Sequence, residues 1–204
     1  MRRNASRLLE GVARAMAFLL LLCSIAFAPV RADTLPAEVT ELQVERLDDG
    51  VYLSAQVRFE LPGPVEEALA KGIPMYFVAE AIIYRERWYW YDKRVKTAER
   101  HMRLAYQPLT RRWRLQISSA PIGNNGLVLG QNFDTREEAL AAMERISRWR
   151  IASLTDVDPE VPHTVDFRFR LDVSQLPRPF QIGAVGQTDW NLVASRSVRL
   201  DPLK

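Results

Sequence analysis

The feature that most constrains the fold is a run of 24 residues, 73–96, which is the most aromatic and apolar segment after the first thirty residues. At ~3.3 Å per residue, such a run is far longer than the usual strand of about 5–6 residues. It therefore predicts one long bent strand, or two strands that meet at a corner. Residues 76–84 would be the buried half, and residues 85–92 the half that emerges from the domain.

Both faces of this run are apolar when its residues are sorted by alternation. One face carries Tyr76, Val78, Ile82, Tyr84, Trp88 and Trp90, and the other carries Phe77, Ala79, Ala81, Ile83, Tyr89 and Tyr91. A strand that is apolar on both faces is usually central in its sheet and covered on both sides. We therefore expect the rest of the chain to pack around this strand.

The first 32 residues have the pattern of an export signal. Basic residues come first, an apolar stretch follows at 15–28, and residues 30–32 (Val-Arg-Ala) form a small-x-small cleavage site. We expect cleavage after Ala32 on the general secretory route, which leaves a single β-rich domain, residues 33–204, in the periplasm. The alternative is an uncleaved inner-membrane anchor, but fourteen apolar residues are fewer than the ~20 that span a bilayer.

The export signal accounts for the basic character of the whole chain. The chain has a formal net charge of +3, but residues 1–32 hold five arginines and one acidic residue, Glu10. The other 172 residues therefore carry 23 basic and 24 acidic side chains, a net charge of −1. This balance gives no reason to expect a nucleic-acid partner. A chain of this length fits one domain and can bury a core without disulfides.

The chain is poor in residues that carry chemistry. Its one cysteine, Cys23, lies in the export signal, so cleavage leaves no thiol for disulfides, catalysis or metal binding. His101 and His163 have no motif around them and are expected to be solvated strand residues. Two scattered histidines without thiols do not make a zinc site. The sequence therefore predicts no catalytic residue, no metal and no cofactor, and a protein that is not an enzyme.

Alternation of apolar and polar residues predicts a mainly β fold. The clearest case is 51–59, which follows an Asp-Asp-Gly turn at 48–50. Related patterns occupy 98–106, 112–117 and 165–173, and the first two of these are predicted to form an antiparallel hairpin with an arginine-rich outer face. About eight or nine strands with short connections favour an antiparallel β-sandwich or a partly open barrel.

Two short helices are predicted near residues 64–71 and 135–148. Pro64 suits the start of the first helix, and Gly72 suits a left-handed cap at its end. Asp134 is expected to cap the second helix, with Glu137 completing a capping box. Residues 176–180, Leu-Pro-Arg-Pro-Phe, read as a rigid connection between strands, with a polyproline-II segment for a partner as the alternative.

Four segments carry a resemblance to a known family. They are ELPGPVEEALAKGIPMYFVAEAIIYRERWYWYDKRV, RLAYQPLTRRWRL, FDTREEALAAMERISRWRI and FRFRLDVSQLPRPFQIGAVGQTDWNL. Together they resemble domain of unknown function 4390, a family of exported proteins from Gram-negative bacteria. Its members tend to be encoded beside a sensor kinase of the nitrogen-regulation type, so the resemblance implies a signalling or envelope role. It brings no catalytic residues, because the family has no established activity.

The candidate binding residues are the emergent half of the long run and the arginines of the hairpin. Residues 85–94 concentrate aromatic planes and charge, which suits stacking on sugar rings, cation–π contacts, or the binding of carboxylate and phosphate groups. The residues singled out are Arg85, Arg87, Trp88, Trp90, Arg103, Arg112 and Arg114. In the alternative interpretation, the two tryptophans pack beneath a helix, Arg85 and Arg87 pair with acidic neighbours, and the other three arginines only solubilise a half-exposed sheet.

These observations lead to two functional hypotheses. The first is a non-enzymatic protein-binding module of the cell envelope, with the outer segment of a membrane sensor kinase as a candidate partner. The second is a binder of a small anionic sugar or lipid headgroup through residues 85–94. In both cases no membrane span is expected after signal cleavage, and the oligomeric state stays open.

Overall fold

Nine β-strands form two antiparallel sheets in the computed structural model, which describes residues 37–87, 91–123, 128–184 and 190–202. The strands are β1 (Ala37–Leu47), β2 (Gly50–Phe59), β3 (Met75–Arg85), β4 (Lys93–Gln107), β5 (Arg112–Ser118), β6 (Gly130–Phe133), β7 (Arg145–Ala152), β8 (His163–Leu171) and β9 (Val193–Leu200). The helices are α1 (Gly63–Ala70), α2 (Arg136–Glu144) and α3 (Arg178–Ala184). The predicted mainly β, antiparallel fold is confirmed.

Strand β3 lies in the interior of the larger sheet, as the sequence predicts. This six-stranded sheet has the order β6-β5-β4-β3-β8-β9, and the three-stranded sheet has the order β1-β2-β7. Strand β3 pairs along its whole length with β4 and, from Phe77 to Arg85, with β8. The most apolar strand of the chain is therefore enclosed by two partners within its own sheet.

The two faces of β3 are not covered equally. The inner face, which includes Phe77 and Ile83, is fully buried against the three-stranded sheet. On the outer face, Tyr76 and Val78 are buried, but Ile82 is only half-buried. The prediction that both faces are covered is thus confirmed for the inner face. It is wrong for the part of the outer face around Ile82, because no second sheet of the described residues packs on that side.

Three phenylalanine rings connect the two sheets. Phe59 ends β2 in the small sheet, and its ring centroid lies 5.3 Å from that of Phe169 on β8 and 5.9 Å from that of Phe77 on β3. The Phe77 and Phe169 centroids are 5.8 Å apart, with the rings close to parallel. Each large aromatic ring buries about 150–250 Å² and gains further from offset stacking. This cluster therefore joins strands of both sheets in the core.

The two long edges of the sandwich are closed in different ways. On one side, β9 packs along β1, and Arg196 Nη1 donates to the carbonyl oxygens of Thr40 (2.9 Å) and Val39 (3.3 Å). On the other side, the small sheet ends at β7 while the large sheet continues through β5 and β6. Helix α2 packs against β2, β5 and β6 and covers the part of the large sheet that the small one does not reach.

Strand β7, at the edge of the small sheet, is irregular. Its register with β2 shifts between Val51 and Tyr52 and again between Leu53 and Ala55. Arg148 has a φ of 44°, in the left-handed region that non-glycine residues rarely adopt. Such departures bend a strand and interrupt its ladder of hydrogen bonds.

Gly50 is required for a different reason from the one the sequence indicates. The Asp-Asp-Gly pattern predicts a glycine with positive φ in the turn, but Gly50 is the first residue of β2. A Cβ atom at this position would lie 2.5 Å from the carbonyl oxygen of Ala152 on β7. The glycine therefore allows the close approach of two backbones.

The first helix follows its prediction, whereas the second is shorter than expected. Gly72, with a φ of 81°, forms the left-handed cap after α1. The N-cap of α2 is Thr135 with Glu138, one residue later than the predicted Asp134 and Glu137, because this register buries Ala139 completely. Helix α2 ends at Glu144, and not at 148, since Arg145–Ala152 pairs with β2.

Helix α3 was not predicted. Its residues 178–180 belong to the segment interpreted as a rigid connection or a polyproline-II segment, and they are helical. The helices have seven to nine residues. Within the described part of the chain, no helix has the length and apolar character needed to cross a membrane.

The described residues of the emergent half beyond Arg85, which are 86, 87, 91 and 92, lie outside any strand. Strand β3 ends at Arg85, and β4 begins at Lys93, earlier than the alternation from Ala98 indicates. Between them, Glu86 N donates to the carbonyl oxygen of Pro162, and Arg87 N donates to the Asp92 carboxylate. Residues 88–90 lie outside the described part of the chain.

Replacement of Phe169 by alanine tests the role of the ring cluster. We expect F169A to lower the free energy of unfolding by about 3–5 kcal/mol, because it removes a fully buried ring and leaves a cavity at the contact between the sheets. The measurement is urea unfolding followed by tryptophan fluorescence. The control is R168A, whose exposed side chain lies on the opposite face of β8 and whose effect should stay within about 0.5 kcal/mol. Equal effects of the two substitutions would contradict the assignment.

Candidate functional site: two clefts beside helix α2

The three arginines predicted on the hairpin share one face of the large sheet. In the β4–β5 ladder, Arg103 lies opposite Gln116, while Arg112 and Arg114 alternate with residues that face the core. Arg103 Nη1 donates to Gln116 Oε1 at 2.8 Å, and Arg112 Nη2 lies 3.2 Å from Asp134 Oδ1. The predicted arginine-rich outer face of this hairpin is therefore present.

Arg85 and Arg87 lie far from that group. Arg85 is nine residues along β3 from the position paired with Arg103, which is about 30 Å of extended chain. Its Nη2 lies 3.4 Å from Asp158 Oδ2, and Arg87 is exposed beyond the end of the sheet. Trp88 and Trp90 lie outside the described residues. The structure does not bring the predicted residues together into one surface.

Both histidines are buried, so the expectation that they are solvated is wrong. His101 is 6% exposed, and its Nε2 lies 3.0 Å from Glu99 Oε2. His163 is 1% exposed, and its Nδ1 lies 2.8 Å from the carbonyl oxygen of Val161, to which it donates. Alternation already places His163 on the inward side of β8 with Val165 and Phe167, whereas His101 lies on the outer side of β4 and is buried nevertheless. Among the described residues, no group of three or more His, Cys, Asp or Glu side chains could hold a metal.

An aromatic groove of about 540 Å³ lies between α1, the start of α2 and the β4–β5 hairpin. Tyr106 on β4 and Trp113 on β5 face each other in the ladder, with ring centroids 5.0 Å apart. Both rings are half-buried, and Leu69 and Ala70 of α1 supply an apolar wall. The aromatic groove exists because these strands extend past the small sheet, so short helices cover their inner face incompletely.

Charged side chains form the rim of the aromatic groove. Arg136, the first residue of α2, places Nη1 2.7 Å from Glu66 Oε1 and Nε 3.3 Å from Glu137 Oε1. Glu67, the second carboxylate on α1, is exposed and lies 3.9 Å from Lys71 Nζ. The groove thus combines an apolar interior with a polar rim on which Glu67 is only loosely engaged.

A basic cleft of about 670 Å³ lies at the other end of α2, where β7 and β4 face each other. Arg100, on an inward position of β4, places its guanidinium 5.0 Å from the ring centroid of Trp149 on β7. Burial lowers the pKa of Arg100, with no contribution from a neighbouring charge. Arg145, Glu144 and Ser147 lie on the mouth of the cleft. The basic cleft therefore holds a half-buried arginine whose guanidinium lies over an aromatic ring.

Sequence reasoning missed the central residues of both clefts. Alternation places Tyr106 and Trp113 on the inward sides of their strands, but their contact across the ladder becomes visible only when the register is known. Arg100 carried a signal: it is a charged residue at an inward position between Ala98 and Met102. A charge on the buried side of an alternating strand marks either an ion pair or a cavity.

Comparison with known proteins agrees with the sequence resemblance. The family model described as Domain of unknown function (DUF4390) matches residues 35–199, which covers both clefts. No curated protein and no solved structure matches the chain. The function is therefore inferred from the geometry of the two clefts.

Protonation of His163 is expected to destabilise the fold. Burial lowers the pKa of His163, although its hydrogen bond to Val161 opposes this, and Arg46 and Arg85 lower the pKa further. Because the folded-state pKa is below the unfolded value of about 6.5, the stabilisation is complete above pH 6.5 and is lost as the pH falls towards the folded-state pKa. Between these two pKa values, the free energy of unfolding should fall by about 1.4 kcal/mol per pH unit.

The measurement is urea unfolding of wild type and H163Q from pH 7.5 to 5. The difference between the two proteins should shrink as the pH falls. Asp172 provides the contrast: burial would raise its pKa, but hydrogen bonds from Ser174 and Gln175 outweigh this and lower it. The stability that Asp172 contributes is therefore lost only below about pH 3.8. A difference between wild type and H163Q that stays constant from pH 7.5 to 5 would exclude the role given to His163.

Proposed function

The chain belongs to the family described as Domain of unknown function (DUF4390), and we propose that it acts as an exported, non-enzymatic protein-binding module of the cell envelope. The aromatic groove between α1, α2 and the β4–β5 hairpin is its binding site in this proposal. The observation that carries it is the pair of half-exposed rings, Tyr106 and Trp113, inside an open groove with a charged rim.

The composition of the aromatic groove fits a protein partner. Tyrosine, tryptophan and arginine are enriched at the centres of protein interfaces, where a ring fills a pocket and a polar rim excludes water. Tyr106, Trp113 and Arg136 are of these three types. The turn that follows Tyr106 adds Leu109, which is completely exposed. An apolar side chain at the tip of a hairpin, next to an aromatic groove, extends the surface that a partner can cover.

The occupant that fits best is a peptide segment with one large apolar side chain and a nearby basic residue. The apolar side chain would enter between the Trp113 ring and the α1 wall formed by Leu69 and Ala70. The basic residue would pair with Glu67, because Glu66 is already held by Arg136 at 2.7 Å while Glu67 has only an exposed contact of 3.9 Å to Lys71. The outer segment of a membrane sensor kinase is the candidate source that the family resemblance implies.

The alternative site at residues 85–94 has less support. Arg85 is engaged by Asp158, and Glu86 is held by both Thr164 and Arg199. These contacts pair the Arg85 and Arg199 guanidinium groups with carboxylates, so that of the predicted arginines at this site only the exposed Arg87 is left for an anionic sugar or lipid headgroup. The aromatic groove is therefore preferred as the principal site.

Crosslinking from the hairpin tip tests the proposed site. A photo-crosslinking residue at Leu109 should capture one envelope protein in living cells, because this position borders the aromatic groove. The same residue at Leu154 is the control, since this exposed leucine lies at the opposite end of β4, next to the Lys96–Asp156 ion pair. Mass spectrometry identifies the product, and W113A should reduce its yield about tenfold or more.

Capture from Leu109 alone does not decide the proposal. The comparisons with the probe at Leu154 and with W113A decide it. Capture of the same protein from both positions, or from Leu109 with equal yield in W113A, would rule out the aromatic groove as the site. W113A also removes packing, so its melting temperature is measured in parallel. E67Q leaves the apolar interior intact and should weaken capture without lowering that temperature.

Export is the part of the proposal that rests on sequence alone. We expect the protein in the periplasmic fraction to begin at Asp33, which N-terminal sequencing or intact-mass measurement can establish. A32E places a charged residue before the cleavage site and should leave the precursor uncleaved. Recovery of the full-length chain from wild-type cells would instead support the anchored alternative.

A further inference from the structure

The basic cleft beside the C-terminal half of α2 has features of a site that the proposed function does not use. It is separate from the aromatic groove, and the two share no lining residue. Its volume of about 670 Å³ is within the range of about 300–1,000 Å³ typical of pockets for small molecules. Its wall is formed by α2 on one side and by β2, β4 and β7 on the other.

Packing of the two sheets does not explain why an arginine occupies position 100, on the inward side of β4. Its side chain is half-buried, and a charged group that loses part of its water is destabilised unless it is paired. The Arg100 guanidinium lies 5.0 Å from the Trp149 ring centroid, a cation–π contact, and it has no ion pair among the described residues. Its N–H donors can therefore bind a planar anionic group.

Three of the six other residues that line the basic cleft carry hydrogen-bond donors. Arg145 brings a second guanidinium, Gln56 an amide and Ser147 a hydroxyl. Glu144 is the one acidic residue of the lining, so the cleft has a net charge of +1. A cavity of this size with a net positive charge and these donors in its lining suits a small anion.

We propose that the basic cleft binds a small soluble organic anion, which presents one carboxylate or phosphate group to Arg100. The oxygens of the anion accept hydrogen bonds from the Arg100 guanidinium and from Arg145, while Gln56 and Ser147 bind polar groups on the remainder of the molecule. The carboxylate of Glu144 restricts the ligand to a single anionic group on this side, because a second one would be repelled.

This inference is independent of the proposed protein-binding function. It concerns other residues, another ligand class and the other end of α2. A variant that empties the aromatic groove should leave anion binding unchanged, and a variant of Arg100 should leave crosslinking from Leu109 unchanged. Failure of one proposal therefore does not decide the other.

The experiment measures the melting temperature of the purified protein with each of four probes at constant ionic strength. Titration calorimetry gives the dissociation constant of each probe. The probes are inorganic phosphate, glycerol 3-phosphate, galacturonate and, as the uncharged comparison, galactose. A ligand with a Kd near 1 mM, present at about 10 mM, should raise the melting temperature by about 3–5 °C. A response to the phosphates assigns a phosphate ligand, a response to galacturonate alone assigns a carboxylate, and galactose should give none.

Arg100→Met is the decisive variant, since methionine retains an unbranched chain that packs on Trp149 but removes the charge. It should weaken binding of the responding probe by at least about thirtyfold. Arg145→Gln at the exposed mouth of the cleft should weaken it by about tenfold without affecting folding. The matched control is Arg168→Met on the outer face of the large sheet, which removes one charge and should leave binding unchanged.

The proposal is overturned if no anionic probe shifts the wild-type melting temperature. It is also overturned if Arg100→Met and Arg168→Met respond like the wild type, since binding would then be a general effect of charge. The proposal is likewise overturned if Arg168→Met loses the response to the same extent as Arg100→Met. If Arg100→Met folds poorly, Arg145→Gln alone decides between a specific and a general effect.

Discussion

The unequal width of the two sheets is the constraint from which the rest of the structure follows. A six-stranded sheet has an apolar inner face that must be removed from water, but the opposing sheet has only three strands. The rings of Phe59, Phe77 and Phe169 fix the two sheets together where both are present. Beyond β7, short helices have to cover β4, β5 and β6, and a cylinder laid on a twisted sheet leaves space on either side of it. The aromatic groove and the basic cleft occupy the spaces on the two sides of α2.

The two spaces differ in chemistry because the strands beneath them differ. Below the start of α2, the inward positions of β4 and β5 are Tyr106 and Trp113, and the result is an apolar interior with rings. Below its end, the inward position of β4 is Arg100, and the result is a cavity that contains a half-buried cation. A single helix thus separates a surface suited to a side chain of a partner from one suited to an anion.

The alternation of apolar and polar residues predicts most strands and helices. Where a residue fits two patterns, pairing between strands decides which one forms. The central position of β3 and the cap at Gly72 follow from alternation and from the conformational freedom of glycine, which are properties of neighbouring residues. The end of α2 does not, because Ile146 satisfies either a helical stripe or a strand paired with Ala55 of β2. The clefts are less predictable still, since Tyr106 meets Trp113, and Arg100 meets Trp149, only once the register and the facing of the two sheets are known.

The irregular strand β7 determines how this protein can be recognised. A long, regular free edge would let a foreign chain extend a sheet through backbone hydrogen bonds alone, and such edges also drive aggregation. Among the described strands, β1 and β9 cover each other, β6 has only four residues, and β7 is interrupted by its register shifts and by the left-handed Arg148. The edges of the described strands therefore give a foreign chain little regular backbone to pair with, and in the functions proposed above selectivity comes from the shape and charge of side-chain pockets.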